Sequence, residues 1–316
     1  LSNINDTTII IYDQTCAAEK RRKIKRSILP EPNKKIFINE DVCEGCGDCG
    51  IQSNCVSIIP LETEFGRKRQ IDQSNCNKDY SCVEGFCPSF VSLVGDVKLK
   101  SNLDNSLLEK MDLNIPEPNL PHIEDSYGIM IAGIGGTGVL TIGAILATAA
   151  QIDGKGSGVL DKSGLSQKGG AVKSFIRIFN NPLNQKTIRL SYGDANLLLG
   201  CDLLVSNDNE IIKTLDISKT KSIINSDEVM TGEFTRDKNF TLPFDKMKEN
   251  LINFLGENNI TFLPTATIAN KLLGNSIFSN MIVVGYAYQA GLIPINSKCI
   301  EQAITLNGVS IDKNIK

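Results

Sequence analysis

Residues 43–49 read CEGCGDC and residues 76–88 read CNKDYSCVEGFCP. In the first stretch Cys43, Cys46 and Cys49 recur at every third position, a spacing that lets one short loop turn three thiolates onto three irons of a single cube. Gly45, Gly47 and Gly50 leave that loop free to curl tightly. The fourth iron needs a thiolate from elsewhere in the chain. Where two such loops share a module, the cysteine before a proline ligates the other loop's cluster, and this assigns Cys87, which precedes Pro88, to the cube of Cys43, Cys46 and Cys49.

The second stretch repeats the first with Asp79 in the place of the middle cysteine, and Cys55 is then the ligand that crosses over. Cys55, Cys76 and Cys82 are expected to hold a second cluster whose remaining iron is bound by the Asp79 carboxylate, bound by water, or absent as in a 3Fe-4S centre. An oxygen ligand is harder and releases less electron density than a thiolate, so that iron would be the labile one. Zinc or a purely structural role is the alternative for the later cysteines, although zinc pairs usually come as C-x2-C twice over and none follows Cys55. A disulfide framework is disfavoured, since no secretory leader is apparent and dense cysteines in a cytosolic chain favour metal; the expected location is cytoplasmic.

The cysteines thus predict an α+β, ferredoxin-like iron-sulfur module over residues 34–95, with short strands at 36–38 and 57–59 bracketing the first loop. Within it, residues 64–71 (EFGRKRQI) are either a plain hairpin or a source of positive charge beside a cluster. Ahead of the module, residues 7–12 (TTIIIY) predict a buried strand at the end of another domain, Cys16 a buried cysteine, and the basic run 20–26 a solvated face. Residues 96–125 are polar and dotted with proline and predict a linker; the lone histidine, His122, falls in it.

A different pattern starts at residue 127. Residues 127–132 (YGIMIA) predict a strand, residues 133–138 (GIGGTG) a glycine turn, and residues 139–151 a helix apolar nearly all round. A glycine turn between strand and helix opens an α/β doubly wound, Rossmann-like domain, here residues 126–316, and can cradle a phosphate at the helix N-terminus. A strand at 158–160 ends in Asp161, where a dinucleotide domain carries its ribose acid. Residues 164–170 then form a second glycine-rich loop rather than a helix. Further strands are predicted at 171–179, 188–191, 196–199, 221–225 and 261–263, and helices at 213–216, 244–255, 265–273, 280–290 and 297–306. Arg177 and Arg189 are expected to face solvent or an interface.

The bulk composition narrows the partners. Of 316 residues, 41% are hydrophobic and 22% charged, with a net charge of -3, which describes a globular chain of about two domains without the basic footprint of a nucleic-acid binder. No apolar run approaches the roughly 18 residues of a membrane span.

Residues 12–22, 38–55, 62–69, 71–79 and 85–90, and then 131–138, 166–172, 191–202 and 280–285, closely resemble the fused-type indolepyruvate ferredoxin oxidoreductases, the later segments matching that family's gamma-type domain. The resemblance implies oxidative decarboxylation of an aryl 2-oxoacid on thiamine diphosphate with Mg, coenzyme A taking the acyl group and ferredoxin the electrons. The iron-sulfur module would be the relay, because the electrons must leave the thiamine adduct singly. Residues 7–16 resemble the last strand of a thiamine domain and the rest of the thiamine domains has no counterpart, so the resemblance implies a fragment that cannot turn over alone and acts within a homo-oligomer of the full enzyme. The two glycine loops, with Gly133, Gly135, Gly136, Gly138, Gln167, Lys168, Gly169 and Gly170, would close over the thiamine site or take coenzyme A phosphates, helped by Lys162 and Lys168; alternatively they are turns needed only for packing. A ferredoxin-fed NAD(P)H reductase using Asp161, and an electron-transfer subunit with no substrate site, are the rival readings.

Overall fold

The computed structural model describes residues 7–11, 13, 15–25, 28–95, 97, 115–164, 170–184 and 186–315. Before the cysteine segment, the isoleucines Ile9, Ile10 and Ile11 are exposed and form no strand, against the expectation of a buried one, because no other described strand pairs with them. Cys16 is exposed rather than buried. Residues 20–25 of the basic run lie on helix α1 (Ala17–Lys25), and Arg26 lies outside the described residues.

The cysteine segment is built from two small antiparallel pairs. Strand β1 (Lys34–Ile38) pairs with β4 (Phe90–Val94), Ile38 opposite Phe90, and this tie closes the segment end to end. Between them lie helix α2 (Asp48–Ser53) and the hairpin of β2 (Ile58–Thr63) and β3 (Gly66–Ile71). A small core of Ile38, Cys43 and Ile58, with Cys49, Cys55, Cys82 and Phe90 against it, lies between the pairs. So few apolar side chains make a thin core, and additional crosslinks are what stabilise units of this size.

The remaining strands form one six-stranded sheet in the order β10-β9-β8-β5-β7-β6. They are β5 (Ser126–Ile134), β6 (Gly156–Ser163), β7 (Ala171–Phe179), β8 (Leu197–Gly200), β9 (Lys221–Asn225) and β10 (Ile260–Leu263). β5, β8, β9 and β10 run parallel, while β7 is antiparallel to both β5 and β6. The sheet is therefore mixed, and the doubly wound expectation holds for its parallel half only. Alternate residues of β5 feed opposite cores. Ile129 and Ile131 pack with helices α3 (Val139–Ile152), α7 (Ser279–Gln289) and α8 (Ser297–Asn307). Met130 and Ala132 pack on the other face with α4 (Leu203–Ser206), α5 (Asn209–Ile212) and α6 (Phe244–Leu255). This two-sided burial explains why β5 is nearly continuously apolar. Each fully buried Ile or Leu here contributes roughly 1.5–3 kcal/mol of transfer free energy.

Two predicted elements are replaced. Residues 188–191 form no strand: Ile188 and Leu190 lie across the sheet, where a Cβ on Gly158 would stand 2.6 Å from Ile188 and one on Gly128 2.8 Å from Leu190. The helix expected at 213–216 is α5, one turn earlier, because the Asp208 carboxylate accepts from Glu210 N and starts it there. The last part of the predicted linker is fastened to the sheet domain: Glu117 accepts from Tyr288 and Ser297, and Ile123 is buried in the core. No helix among the described residues is long and apolar enough to cross a membrane.

Candidate iron-sulfur centres and the adjoining cavity

The two cysteine loops have the same backbone. Gly45 and Lys78 have φ of 68° and 56°, and Gly47 and Tyr80 have φ of 83° and 64°, so the left-handed positions recur at the same places of both loops. In each, the N–H two residues after the first cysteine points at its sulfur: Gly45 N lies 3.4 Å from Cys43 Sγ and Lys78 N lies 3.4 Å from Cys76 Sγ. Asp79 consequently occupies the station of Cys46. Left-handed backbone is costly for residues other than glycine, and the second loop meets that cost with side-chain contacts. Lys78 pairs with Glu31, and Tyr80 donates to Lys34 O at 2.8 Å with the Lys34 ammonium over its ring. The first loop has no room for side chains there, since a Cβ on Gly45 would fall 2.1 Å from Arg67 O and one on Gly47 2.7 Å from Lys238 Cβ.

Cys43, Cys46, Cys49 and Cys87 line one cavity of about 310 Å³, which Cys82 also reaches and which Ile38 and Phe90 among others close. Ser89 Oγ lies 3.0 Å from Cys87 Sγ. Burial, more than any neighbour, pushes the Cys49 thiol up to about 11, and the Arg69 charge opposes it. Cys55, Cys76 and Asp79 stand around Cys82, whose thiol is pushed up to about 12, first by burial and then by their negative charge. The Asp79 carboxylate itself takes the N–H and hydroxyl of Ser81 at 3.3 and 3.1 Å.

Among the described residues no three His, Cys, Asp or Glu side chains converge as a single-ion site requires. A cube puts each thiolate on a different iron, so spaced ligands around a cavity fit it, and the N–H groups aimed at sulfur supply hydrogen bonds of the kind that tune such clusters. The donor set of Cys43, Cys46, Cys49 and Cys87 therefore fits a cube, while Cys55, Cys76 and Asp79 gather near Cys82 without lining that cavity. A cluster bound there would accept and pass single electrons.

The glycine turn lies at the carboxyl ends of the parallel strands, where open α/β sheets bind ligands. Gly135, Gly136 and Thr137 line a cavity of about 730 Å³ shared with the hairpin's Arg67 and with Asp202 and Asn225. Gly138, with φ 102°, starts α3 without a side-chain cap. Gly133 is needed for close approach, since a Cβ would meet Cys201 Cβ and Val139 Cγ2 at 2.7 Å. Gly170 O accepts from Gly135 N at 2.7 Å, joining the two glycine loops; Gln167, Lys168 and Gly169 lie outside the described residues.

Asp202, which sequence reasoning passed over, is the buried acid of this cavity. Its Oδ1 accepts from Val205 N at 2.7 Å as the cap of α4, while Oδ2 is buried with no hydrogen-bond partner. Burial pushes the carboxyl up to about 6 despite the N–H groups of Val205, Ile134 and Leu204. Its place at the end of a buried strand was the available signal.

Several sequence assignments change. Asp161 is inside β6 and accepts from Ser174 Oγ at 2.6 Å, so it does not stand at a strand end as a ribose acid would. Lys162 donates to both Glu210 oxygens at 2.8 Å, and Lys173 joins the same carboxylate. Arg177 does not face solvent; it is held at 2.6 Å by Asp194. Arg189 remains exposed, 3.6 Å from Glu210.

The domain that carries the glycine turn has relatives. A family profile described as pyruvate ferredoxin/flavodoxin oxidoreductase matches residues 128–316. The chain belongs to that family. A pyruvate/ketoisovalerate oxidoreductase common subunit gamma from Pyrococcus abyssi is 28% identical over 192 residues, covering 60% of this chain and 91% of the relative. The indolepyruvate oxidoreductase subunit IorB of Archaeoglobus fulgidus is 27% identical over 197 residues, covering 60% and 90%. Among solved structures, a pyruvate oxidoreductase subunit from Thermotoga maritima is 19% identical with a TM-score of 0.42, covering 61% of this chain and 92% of that one.

Proposed function

We propose that this chain is the electron-relay and gamma portion of a 2-oxoacid:ferredoxin oxidoreductase acting on indolepyruvate or a similar aryl 2-oxoacid. Family membership and the gamma-subunit relatives support the 2-oxoacid:ferredoxin part; the extended sequence resemblance, together with the Archaeoglobus relative, supports the aryl substrate. The observation that carries the relay is the meeting of Cys43, Cys46, Cys49 and Cys87 around one cavity, set against the family-matched domain.

In this reading thiamine diphosphate and Mg reside on partner domains or subunits, two iron-sulfur clusters lie on this chain, and ferredoxin takes the electrons. Coenzyme A is the acyl acceptor. The uncapped start of α3 beside Gly135 and Gly136 supports the glycine turn as a seat for its phosphates. The unpartnered Asp202 oxygen in the same cavity favours a hydrogen-bond donor next to it rather than another anion.

The test has two stages. Anaerobically reconstituted protein is assayed for iron, acid-labile sulfide and EPR, with about seven or eight irons per chain expected and no iron sinking the relay. It is then combined with thiamine-bearing subunits and offered indolepyruvate, pyruvate and ketoisovalerate. Reduction of ferredoxin dependent on indolepyruvate and on Cys43 is expected; reduction that persists in Cys43→Ala removes this chain from the electron path.

A further inference from the structure

We infer that Arg69 is the positioning residue that balances the charge of the cluster held by Cys43, Cys46, Cys49 and Cys87 and thereby sets its reduction potential; the inference rests on the iron-sulfur reading proposed above. Arg69 lies on β3 and is 2% exposed. Its guanidinium carbon sits 4.4 Å from the centre of the Phe234 ring, Nη1 donates to Lys68 O at 3.1 Å, and Nη2 donates to Lys238 O at 3.3 Å. These partners are a ring and two carbonyls, and among the described residues no carboxylate is within ion-pair reach of it. A buried cation without a counter-charge is strongly disfavoured, so one has to lie within reach.

The cavity supplies it. Arg69 lines the cavity that holds Cys43, Cys46, Cys49 and Cys87, and a Cβ on Gly47 would touch Nη2 at 3.3 Å, so the guanidinium lies directly under the loop. Burial works against the charged form of Arg69, and negative charge on Cys49, Cys43 and Cys46 works for it. Of the hairpin's other cations, Arg67 pairs with Glu62, and Lys68 donates to the Cys43 carbonyl at 2.6 Å on the backbone of the first loop. Among the described residues Arg67 alone of the three basic residues of β3 has a carboxylate partner, and Arg69 is the one of the three that lines the cavity.

Reduction adds one electron to the cube from a one-electron donor, makes the cluster one unit more negative, and breaks no bond. A fixed cation at its face stabilises that reduced form more than the oxidised one and raises the potential. Phe234 and Lys238 belong to the sheet domain, so the potential is set across the boundary between the cysteine segment and the family-matched domain.

The experiment is an anaerobic redox titration of the reconstituted full chain with dithionite, followed by EPR, for the native protein, Arg69→Gln and Arg69→Lys, with iron counted in each. Arg69→Gln should shift the oxidised-to-reduced ratio of the first cluster about tenfold toward oxidised at fixed potential, ~59 mV for one electron. Arg69→Lys keeps the charge and should titrate with the native protein. Iron lost from Arg69→Gln but retained at native potential in Arg69→Lys supports the same role. A potential unmoved in iron-replete Arg69→Gln, an equal shift in both variants, or loss of iron from both overturns it. Absence of iron from the native protein overturns the iron-sulfur reading instead.

Discussion

Asp79 and Asp202 are carboxylates with opposite problems. Asp79 stands at the station of Cys46 on a backbone that repeats the first loop, so a single substitution restores a cysteine where the geometry already holds one. Asp79→Cys is expected to raise iron by up to about one per chain and to change the second EPR signal, because thiolate holds that corner more firmly than oxygen or water. Identical iron and spectra in both proteins would count against an oxygen-facing corner. Asp202 is raised from 3.8 to about 6 by burial. Below about pH 4 folded and unfolded chains both carry the proton; between about 4 and 6 the folded chain holds it and the unfolded chain does not. Stability therefore falls as pH rises through that window, by about 3 kcal/mol in total. Asp202→Asn can still accept from Val205 N and carries no charge, so urea titrations at several pH values should show that slope in the native protein and lose it in the variant. A native slope equal to the variant's would mean that the acid is ionised in the folded state at pH 5.

At the scale of elements, the contrast between the loops gives a discriminating pair of variants. Gly45→Ala must adopt a φ of 68° and place its Cβ 2.1 Å from Arg67 O, which belongs to β3 and cannot retreat without pulling the hairpin away. It should cost at least about 2 kcal/mol and empty the first site, with iron of the second site retained. Lys78→Gly, at the matching position, relieves the backbone while losing the Glu31 pair, and iron content should be unchanged. Matching iron loss in both variants would deny that the loops are built differently. The same elements mark what was legible in the chain. Cysteine spacing predicts Cys87 beside the first loop, and Cys87 lines the same cavity as Cys43, Cys46 and Cys49; β5 with its glycine turn was plain from a continuous apolar run. Residues 188–191 looked like a strand from their apolar content, yet Ile188 and Leu190 cross the sheet above Gly158 and Gly128, a placement that only the tertiary packing decides. Asp161 misled for a related reason: β6 pairs antiparallel with β7 and runs on to Ser163, so the residue lies within a hairpin.

For the molecule as a whole, the decisive feature is how the cysteine segment is fastened to the sheet domain. The connection between β9 and α6 supplies Thr235, whose hydroxyl meets Asn54 Oδ1 at 2.9 Å, Lys238 O and Phe240 O, which take Arg69 and Arg67, and Phe234, on which Arg69 stacks. None of these contacts has a local signature, since the partners are 165 to 181 residues apart in sequence. Phe234 is 4% exposed, and its removal leaves both a cavity and an unsupported guanidinium. Phe234→Ala should therefore weaken the seam by roughly 3–5 kcal/mol. Hydrogen exchange locates the effect: amides of Gly66–Ile71 should exchange faster, while those of Ser126–Ile134, in the middle of the six-stranded sheet, keep their protection. Equal acceleration in both strands would mean that the two parts unfold as one unit and that the seam is not a separate, weaker boundary.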